Sequence, residues 1–439
     1  MTALYIIPIL AVLILVHEIG HFVTARLVGI KVEEFGVGIP PRLWGFRRKG
    51  IIYSINLIPL GGFVRVLGED GRSVEPGSMQ SKSRLQRTAF IVAGSAMNLV
   101  LAFALMTAVV GIQGEAATHV YVAQVQPDSP AQQAGWHAGD RFVSLAGQPV
   151  TSVDQIISAT EQYAGKTMPV VLQRDGQTVA SSVVPRVSPP AGSGRVGMLI
   201  QGASAARLTV TAVQSGSAAD RAGIRPDDTL HTLDGQPLDD ASAYSLVLQG
   251  LTGQNVPLVV QRDGRPVTLQ LAVPTVTPAQ GDVTTGLTVR PDILYHRLPW
   301  TRVVPRGVSA TVDTMRQMFQ GLAAMLHQGV GLQGITGPIG MGQLTSEVLA
   351  ASAAPVWVTL ANIMVLLSLN LAILNLLPFP ALDGGRLLFV VVESIRGKRV
   401  SPEREGMVHF VGLVILLMFM FVVAFVDINR IMSGQSLLR

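Results

Sequence analysis

Leu13-Ile14-Leu15-Val16-His17-Glu18-Ile19-Gly20-His21-Phe22-Val23 sets three ionisable side chains within five positions of an otherwise apolar run. The run extends from Leu4 to Ala25, long enough to cross a bilayer, which takes about 20 residues. Further runs of the same kind lie near Ala89 to Ile112, Pro355 to Leu377 and Met407 to Val426. The first is expected to be retained as a span: no basic segment precedes it, no small-residue cleavage site follows it, and His17, Glu18 and His21 interrupt it. Composition agrees. Of 439 residues 49% are hydrophobic and 14% charged, against about 25% charged in soluble domains. An ordinary soluble enzyme and a disordered chain are both excluded.

The net charge is +5, yet aromatics are only 5% and no Lys/Arg stripe is interleaved with them. Nucleic acid is therefore not the expected partner; the lipid bilayer is. Basic residues cluster in two loops, with Arg42, Arg47, Arg48, Lys49, Lys82 and Arg84 in the first and Arg386, Arg396, Lys398, Arg399 and Arg404 in the second. By the positive-inside rule both loops are cytoplasmic, which leaves the N-terminus, the long segment between spans two and three, and the C-terminus outside.

That long segment repeats itself. Val125-Gln126, Ser129, Ala134-Gly135, Asp140 and Gly147-Gln148-Pro149 recur 88 residues later as Val213-Gln214, Ser217, Ala222-Gly223, Asp228 and Gly235-Gln236-Pro237. Gln173-Arg174-Asp175-Gly176 recurs as Gln261-Arg262-Asp263-Gly264 at the same offset of 88. The unit reads as a strand, a short helix opened near Ser129, a strand at Arg141 to Leu145, a helix at Val153 to Gln162 and a hairpin turning at Arg174-Asp175-Gly176. Val122 to Asp140 and, less strictly, Val210 to Asp228 resemble bacterial PDZ domains. That resemblance implies capture of peptides or C-terminal tails at a sheet edge, on strands opened by Gly197 and Gly286. Inert spacers are the alternative. A helix from Val308 to Leu326 carries one apolar stripe, suited to the membrane surface or to packing on the second repeat.

His17-Glu18-Ile19-Gly20-His21 fits His-Glu-x-x-His, and residues four apart share a helix face, so both imidazoles can bind one Zn²⁺ with Glu18 beside it. Ionisable groups inside a span are costly, and a bound cation partners all three. A catalytic zinc usually takes a third protein ligand. Cysteine is absent, so that ligand is His, Asp or Glu. Asp383 is the candidate, in Asn370-(x)4-Asn375-x-x-Pro378-Phe379-Pro380-Ala381-Leu382-Asp383-Gly384-Gly385, where Pro378 and Pro380 break the helix beside the membrane. His409 is the rival ligand, and Asp383 as a mere helix cap is the alternative.

The His-Glu-x-x-His in the first span, the late Asn-Pro-Pro-Leu-Asp-Gly-like motif and the PDZ-like repeats between them resemble the site-2 protease family of intramembrane zinc metalloproteases, in its bacterial form with tandem PDZ domains. The likeness extends to Ile58-Pro59-Leu60-Gly61-Gly62, Ala93-Gly94, Asn98 and Gly337-Pro338-Ile339. The chain departs from the family at Gly36-Val37-Gly38-Ile39-Pro40, where Gly-Phe-Gly is frequent, and at Ser95.

The resemblance implies zinc on His17, His21 and Asp383, Glu18 as general base, and Asn370 and Asn375 hydrogen-bonding an unwound substrate, with Gly36 and Gly38 in the substrate-facing loop. It implies single-span membrane proteins as substrates, such as pre-trimmed anti-sigma factors or signal-peptide remnants, and a place in the inner membrane. A catalytically dead scaffold, a transporter and a soluble metalloprotease on an anchor are the competing readings; each leaves the intact intramembrane motif or the lack of span-level repeats unexplained.

The expected fold is a polytopic α-helical membrane protein of four spans with a membrane-associated β-hairpin and two inserted α+β PDZ-like domains. Its division is 1–27 (first span), 28–88 (cytoplasmic loop with the hairpin), 89–114 (second span), 115–203 and 204–292 (the repeats), 293–354 (linker with amphipathic helix), 355–406 (third span and loop) and 407–439 (fourth span and tail).

Overall fold

The computed structural model describes residues 2–433 except 70–72, 74, 175, 191–192, 241–242, 276–284, 329–336 and 353. Two compact units emerge, Met1–Ile112 with Leu298–Arg439, and Gln113–Arg297. The first is the membrane unit. Among the described residues four helices are long and apolar enough to cross a bilayer.

Helix α1 (Ile6–Leu27) is apolar nearly all round, the composition of a span rather than of a surface helix. After it, β1 (Val32–Arg48) and β2 (Ile51–Val66) are each bent and used twice. Phe35 faces Tyr53 on one side and Val64 on the other, while Phe46 also faces Tyr53. Segments 42–48, 51–56, 32–37 and 62–66 therefore lie side by side in that order. The expected hairpin is a four-pass sheet. Its pin is Glu34, buried and bound by Arg42 at 2.5 Å, Ser54 at 2.7 Å and Arg65 at 2.5 Å, one from each of the other passes. A buried carboxylate satisfied three times fixes the register. At Gly36 a Cβ would lie 2.4 Å from the Phe63 ring, and at Gly38, φ +83, 2.6 Å from the Ile58 carbonyl oxygen. Helix α2 (Arg84–Gln113) follows; Phe90 and Ile91 on it join Val32, Val64 and Val66 of the sheet in one buried cluster.

In the second unit β3 (Glu115–Ala116) precedes the first repeat: β4 (Thr118–Val125), α3 (Pro130–Gln133), β5 (Arg141–Leu145), β6 (Gln148–Pro149), α4 (Val153–Gln162), β7 (Met168–Arg174), β8 (Gln177–Val183) and β9 (Met198–Ser204). The second repeat runs β10 (Ala206–Val213), α5 (Ala218–Arg221), β11 (Thr229–Leu233), β12 (Gln236–Pro237), α6 (Ala243–Gly250), β13 (Asn255–Arg262), β14 (Arg265–Ala272) and β15 (Leu287–Ile293); β16 (Tyr295–His296) then pairs with β3. Strand orders β8-β7-β5-β4-β9 and β14-β13-β11-β10-β15 are the same topology, each with its glycine-led strand at an edge. Asp175 of the first hairpin turn lies outside the described residues. Ser129 and Ser217 start the short helices by accepting the N–H of Gln132 and Asp220, both at 3.2 Å. Each sheet buries its own core, around Val120, Phe142 and Leu172 in one and Leu208, Leu230 and Leu258 in the other, at about 1.5–3 kcal/mol per fully buried side chain.

The chain returns to the membrane unit through α7 (Trp300–Gln328), longer than the expected amphipathic helix. Its glycine face leans on α2: at Gly307 a Cβ would lie 2.4 Å from Thr107 Oγ1, and Met315 and Met318 pack on Ala102 and Leu369. Helix α8 (Pro338–Ala351) was not foreseen. Its first turn is capped from afar, because buried Asp427 accepts the N–H groups of Gly337 at 3.0 Å and Gly340 at 2.8 Å. Then come α9 (Val356–Asn375), α10 (Asp383–Arg396) and α11 (Pro402–Met432). Glu393 on α10 is buried with Arg87 of α2, with Arg84 and Arg399 beside it, which ties α10 to α2.

Candidate metal centre

Helix periodicity puts His17 and His21 one above the other on the buried face of α1, each 7% exposed. Their Nε2 atoms are 3.1 Å apart. Asp383 brings its Oδ2 to 3.1 Å from His17 Nε2 and 3.3 Å from His21 Nε2. A tetrahedral zinc with bonds near 2.0–2.1 Å holds its ligands roughly 3.3 Å apart, so this triangle has the edge length of one face of its coordination shell. Asp383 is the first residue of α10 and Leu382 occupies the capping position, so the carboxylate is turned away from the cap role and toward the imidazoles.

Tautomers sharpen the fit. His21 Nδ1 lies 2.9 Å from the Phe90 carbonyl oxygen, which can only accept, so the proton is on Nδ1 and Nε2 presents a lone pair. His17 Nδ1 lies 3.4 Å from the Asn98 amide nitrogen, and the buried Asn98 Oδ1 has no partner among the described residues. Turning that amide over lets Oδ1 accept the His17 Nδ1 proton, an assignment made from the network. With both rings neutral, two ring lone pairs and a carboxylate oxygen then face one another at contact distance. One bound cation would satisfy all three at once, and each ring is oriented by an outer partner in the usual manner of a metal histidine.

Room for the ion comes from α2. A Cβ on Gly94 would lie 2.4 Å from His21 Nε2 and 2.5 Å from His17 Nε2. Phe90, Gly94 and Asn98 are four apart and form one stripe of α2: carbonyl, gap and amide. Gly94 and Asn98 belong to the family likeness in the sequence, and their spacing of four, equal to that of the two histidines, is the signal that they face the same site.

Glu18 is half-buried next to this triangle, within reach of the Val64 backbone, and a Cβ on Gly62 would lie 3.5 Å from its Cγ. A cavity of about 400 Å³ opens on His17, Glu18, His21 and Asp383, with Phe63 and Val64 of the edge pass 62–66 forming another wall. Arg386, paired with Glu69 at 2.7 Å, and His409 also line it. His409 is not among the three mutually close donor groups. Asn370 and Asn375 are half-buried on α9 and Pro378 is exposed, and none of the three lines the cavity. Gly36 and Gly38 lie within the sheet. Gly197 and Gly286 belong to the other unit, where both have positive φ and a Cβ would press on Ser129 and Ser217, 2.4 and 2.2 Å away.

A second acidic group, His119 with Asp239 and Asp240, lies where the two repeats meet. It already holds its cation. Arg141 donates to Asp239 Oδ2 at 2.6 Å, and the Tyr121 hydroxyl donates to Asp240. Burial pushes the Asp239 carboxyl up, but His119 and Arg141 outweigh it and hold it at about 2.

The model of peptidase family M50 matches residues 5–419. The zinc metalloprotease RasP of Oceanobacillus iheyensis is 28% identical over 438 residues, spanning 98% of this chain and 99% of that protein. The regulator of sigma-E protease RseP of Escherichia coli is 28% identical over 451 residues, spanning 96% and 97%. Among solved structures, the PDZ domain of an SdrC-like protein from Listeria monocytogenes overlaps 18% of this chain and 85% of its own length at 22% identity, with a TM-score of 0.17. The matched span takes in both stretches that form the donor triangle and everything between them, and the chain therefore belongs to peptidase family M50.

Proposed function

We propose that this zinc-dependent peptidase hydrolyses peptide bonds within the transmembrane segments of single-span membrane proteins. The observation that carries the reading is the 3.1–3.3 Å triangle of His17, His21 and Asp383, set in and beside helices apolar enough to cross a bilayer. Bound zinc supplies Lewis acidity, which activates water near neutral pH and polarises the scissile carbonyl. Glu18 is the general base: its carboxylate takes the proton of the attacking water and hands it to the leaving amine.

A substrate helix in lipid has every amide satisfied internally, so unwinding it requires replacement partners. The edge pass 62–66 supports that role, because it borders the cavity and offers backbone groups to an added strand. Gly36 and Gly38 act through the shape of the sheet, by letting Phe63 and the Ile58 carbonyl approach. Asn370 and Asn375, beside the break made by Pro378 and Pro380, donate to the unwound backbone. The two basic loops are cytoplasmic, and the N-terminus, the repeats and the C-terminus are extracytoplasmic, in the inner membrane. The edge strands opened by Gly197 and Gly286 take peptides or C-terminal tails and exclude substrates with bulky outer domains. Anti-sigma factors already trimmed outside and signal-peptide remnants suit such a filter.

Reconstituted protein with a short single-span substrate tests the reaction. Glu18→Gln is expected to keep about one zinc per chain and lose turnover by at least about hundredfold. Turnover that survives Glu18→Gln would remove Glu18 from the mechanism. Deleting 120–288 should leave the short substrate cleaved and admit substrates with intact outer domains; loss of all cleavage in a zinc-loaded deletion would end the filter reading. Cysteines placed at Arg48 and Lys398 should be shielded from an impermeant thiol reagent applied outside while one at Lys166 reacts, and the opposite pattern would invert the orientation.

A further inference from the structure

His409 reaches the metal centre by a route other than coordination. On α11 its Nδ1 accepts the backbone N–H of Ala381 at 2.9 Å, and its ring packs on Phe389 with centroids 5.5 Å apart. Accepting at Nδ1 puts the ring proton on Nε2, which has no partner among the described residues. The Ala381 amide is thus the one described hydrogen-bond partner of the ring.

Ala381 is where help is needed. Its φ is +80, a left-handed conformation in which a Cβ is crowded against the following carbonyl oxygen. Such a residue persists only where its surroundings over-determine it. One turn along α11 from His409, Gly412 lets the loop come close: a Cβ there would lie 2.4 Å from Pro380 Cβ and 2.7 Å from Pro380 O. On the other side Gly385 admits the Phe379 carbonyl oxygen, 2.4 Å from where its Cβ would be. The loop 378–382 is thus gripped between α11 and the start of α10, and Asp383 is two residues beyond Ala381.

We propose that His409 and Gly412 form a clamp through which the fourth span positions Asp383 for zinc, His409 holding the Ala381 amide and Gly412 seating Pro380. His409 is a positioning residue, neither a ligand nor a base. The inference rests on the reading of Asp383 as the third ligand.

Zinc affinity, measured by chelator competition on the purified full-length protein, tests it together with the visible spectrum of the Co²⁺-loaded form. His409→Phe removes the acceptor and keeps a ring; zinc affinity should fall about tenfold to hundredfold and the Co²⁺ bands should shift. His409→Asn, whose Oδ1 can stand where Nδ1 stood, should recover most of the loss. Gly412→Ala should weaken zinc like His409→Phe, which keeps the proposal testable if one variant fails to insert. In an Asp383→Ala background His409→Phe should weaken zinc no further.

Wild-type affinity in both His409→Phe and Gly412→Ala, with zinc lost in Asp383→Ala, would overturn the clamp and leave the ligand assignment standing. Wild-type affinity in Asp383→Ala would overturn both. An equal loss from His409→Phe with and without Asp383 would show that His409 acts on the metal by itself, and the clamp would fall.

Discussion

The buried acids of the repeats and the acid of the metal centre are handled in opposite ways. Asp140 and Asp228, each 1% exposed, receive a two-pronged arginine from their own repeat. Arg174 reaches Asp140 at 2.6 and 2.7 Å, and Arg262 reaches Asp228 at 2.8 and 2.7 Å. In both, the same guanidinium also donates to a glycine carbonyl, Gly135 or Gly223. Asp383 of the membrane unit meets two imidazole nitrogens instead and, among the described residues, no arginine at contact distance. A fold brings its own cation where an acid is structural; where chemistry is wanted, the charge is left for a metal to balance. A substitution in either region should therefore leave the other's property intact.

The largest expected effect is that of Gly94→Ala. Its methyl would enter the space between the imidazoles, so bound zinc should fall to near none and activity by about hundredfold or more. Hydrogen exchange in residues 113–297 should not change. Wild-type zinc content in this variant would mean that the gap on α2 is not where the ion sits.

Arg262→Met strikes the other side of the comparison. It leaves Asp228 buried without its partner and should destabilise the second repeat by roughly 2–4 kcal/mol, read by hydrogen exchange or thermal melting, with zinc content unchanged. Acid sharpens this. Burial alone pushes the Asp228 carboxyl up, but the Arg262 hydrogen bonds outweigh it and hold it below the usual carboxylate range. A lowered folded pKa gives stability that is fully present above about pH 4 and is lost as pH falls through the folded value. The wild-type second repeat should therefore weaken on acidification below that point and Arg262→Met should weaken less; equal acid sensitivity would mean that the pair contributes nothing.

The smallest effect separates the repeats from each other. Ile156 and Val196 in the first have Tyr244 and Thr285 as counterparts in the second, where the two hydroxyls hydrogen-bond at 2.7 Å inside the core. Thr285→Val should cost about 1–2 kcal/mol by orphaning the Tyr244 hydroxyl. Adding Tyr244→Phe should recover part of it. Strictly additive losses in that double-mutant cycle would show that the two residues act independently.

Much of this architecture is written locally. Hydropathy over some twenty residues marks a span whatever it packs against. The 88-residue register needs only comparison of the chain with itself, and each strand and capped helix of the repeats follows from neighbours a few residues away. The pairing of His17 with His21 is equally local, since helix geometry alone stacks residues four apart.

Tertiary structure decided what distant segments do together. The doubled use of β1 and β2 turns on Glu34 finding Arg42, Ser54 and Arg65 at once, which no periodicity announces. Asp383 meets His17, 366 residues before it, across helices that Arg87 and Glu393 tie together, next to a loop that α11 contacts at Ala381. His409, a rival ligand by composition, is a backbone acceptor because packing sets its Nδ1 against the Ala381 amide. Gly94 reads as a helix glycine until two imidazoles are placed against it. Local order follows from a residue's neighbours in the chain; a metal site depends on which helices end side by side, and that is settled by packing across the whole membrane unit.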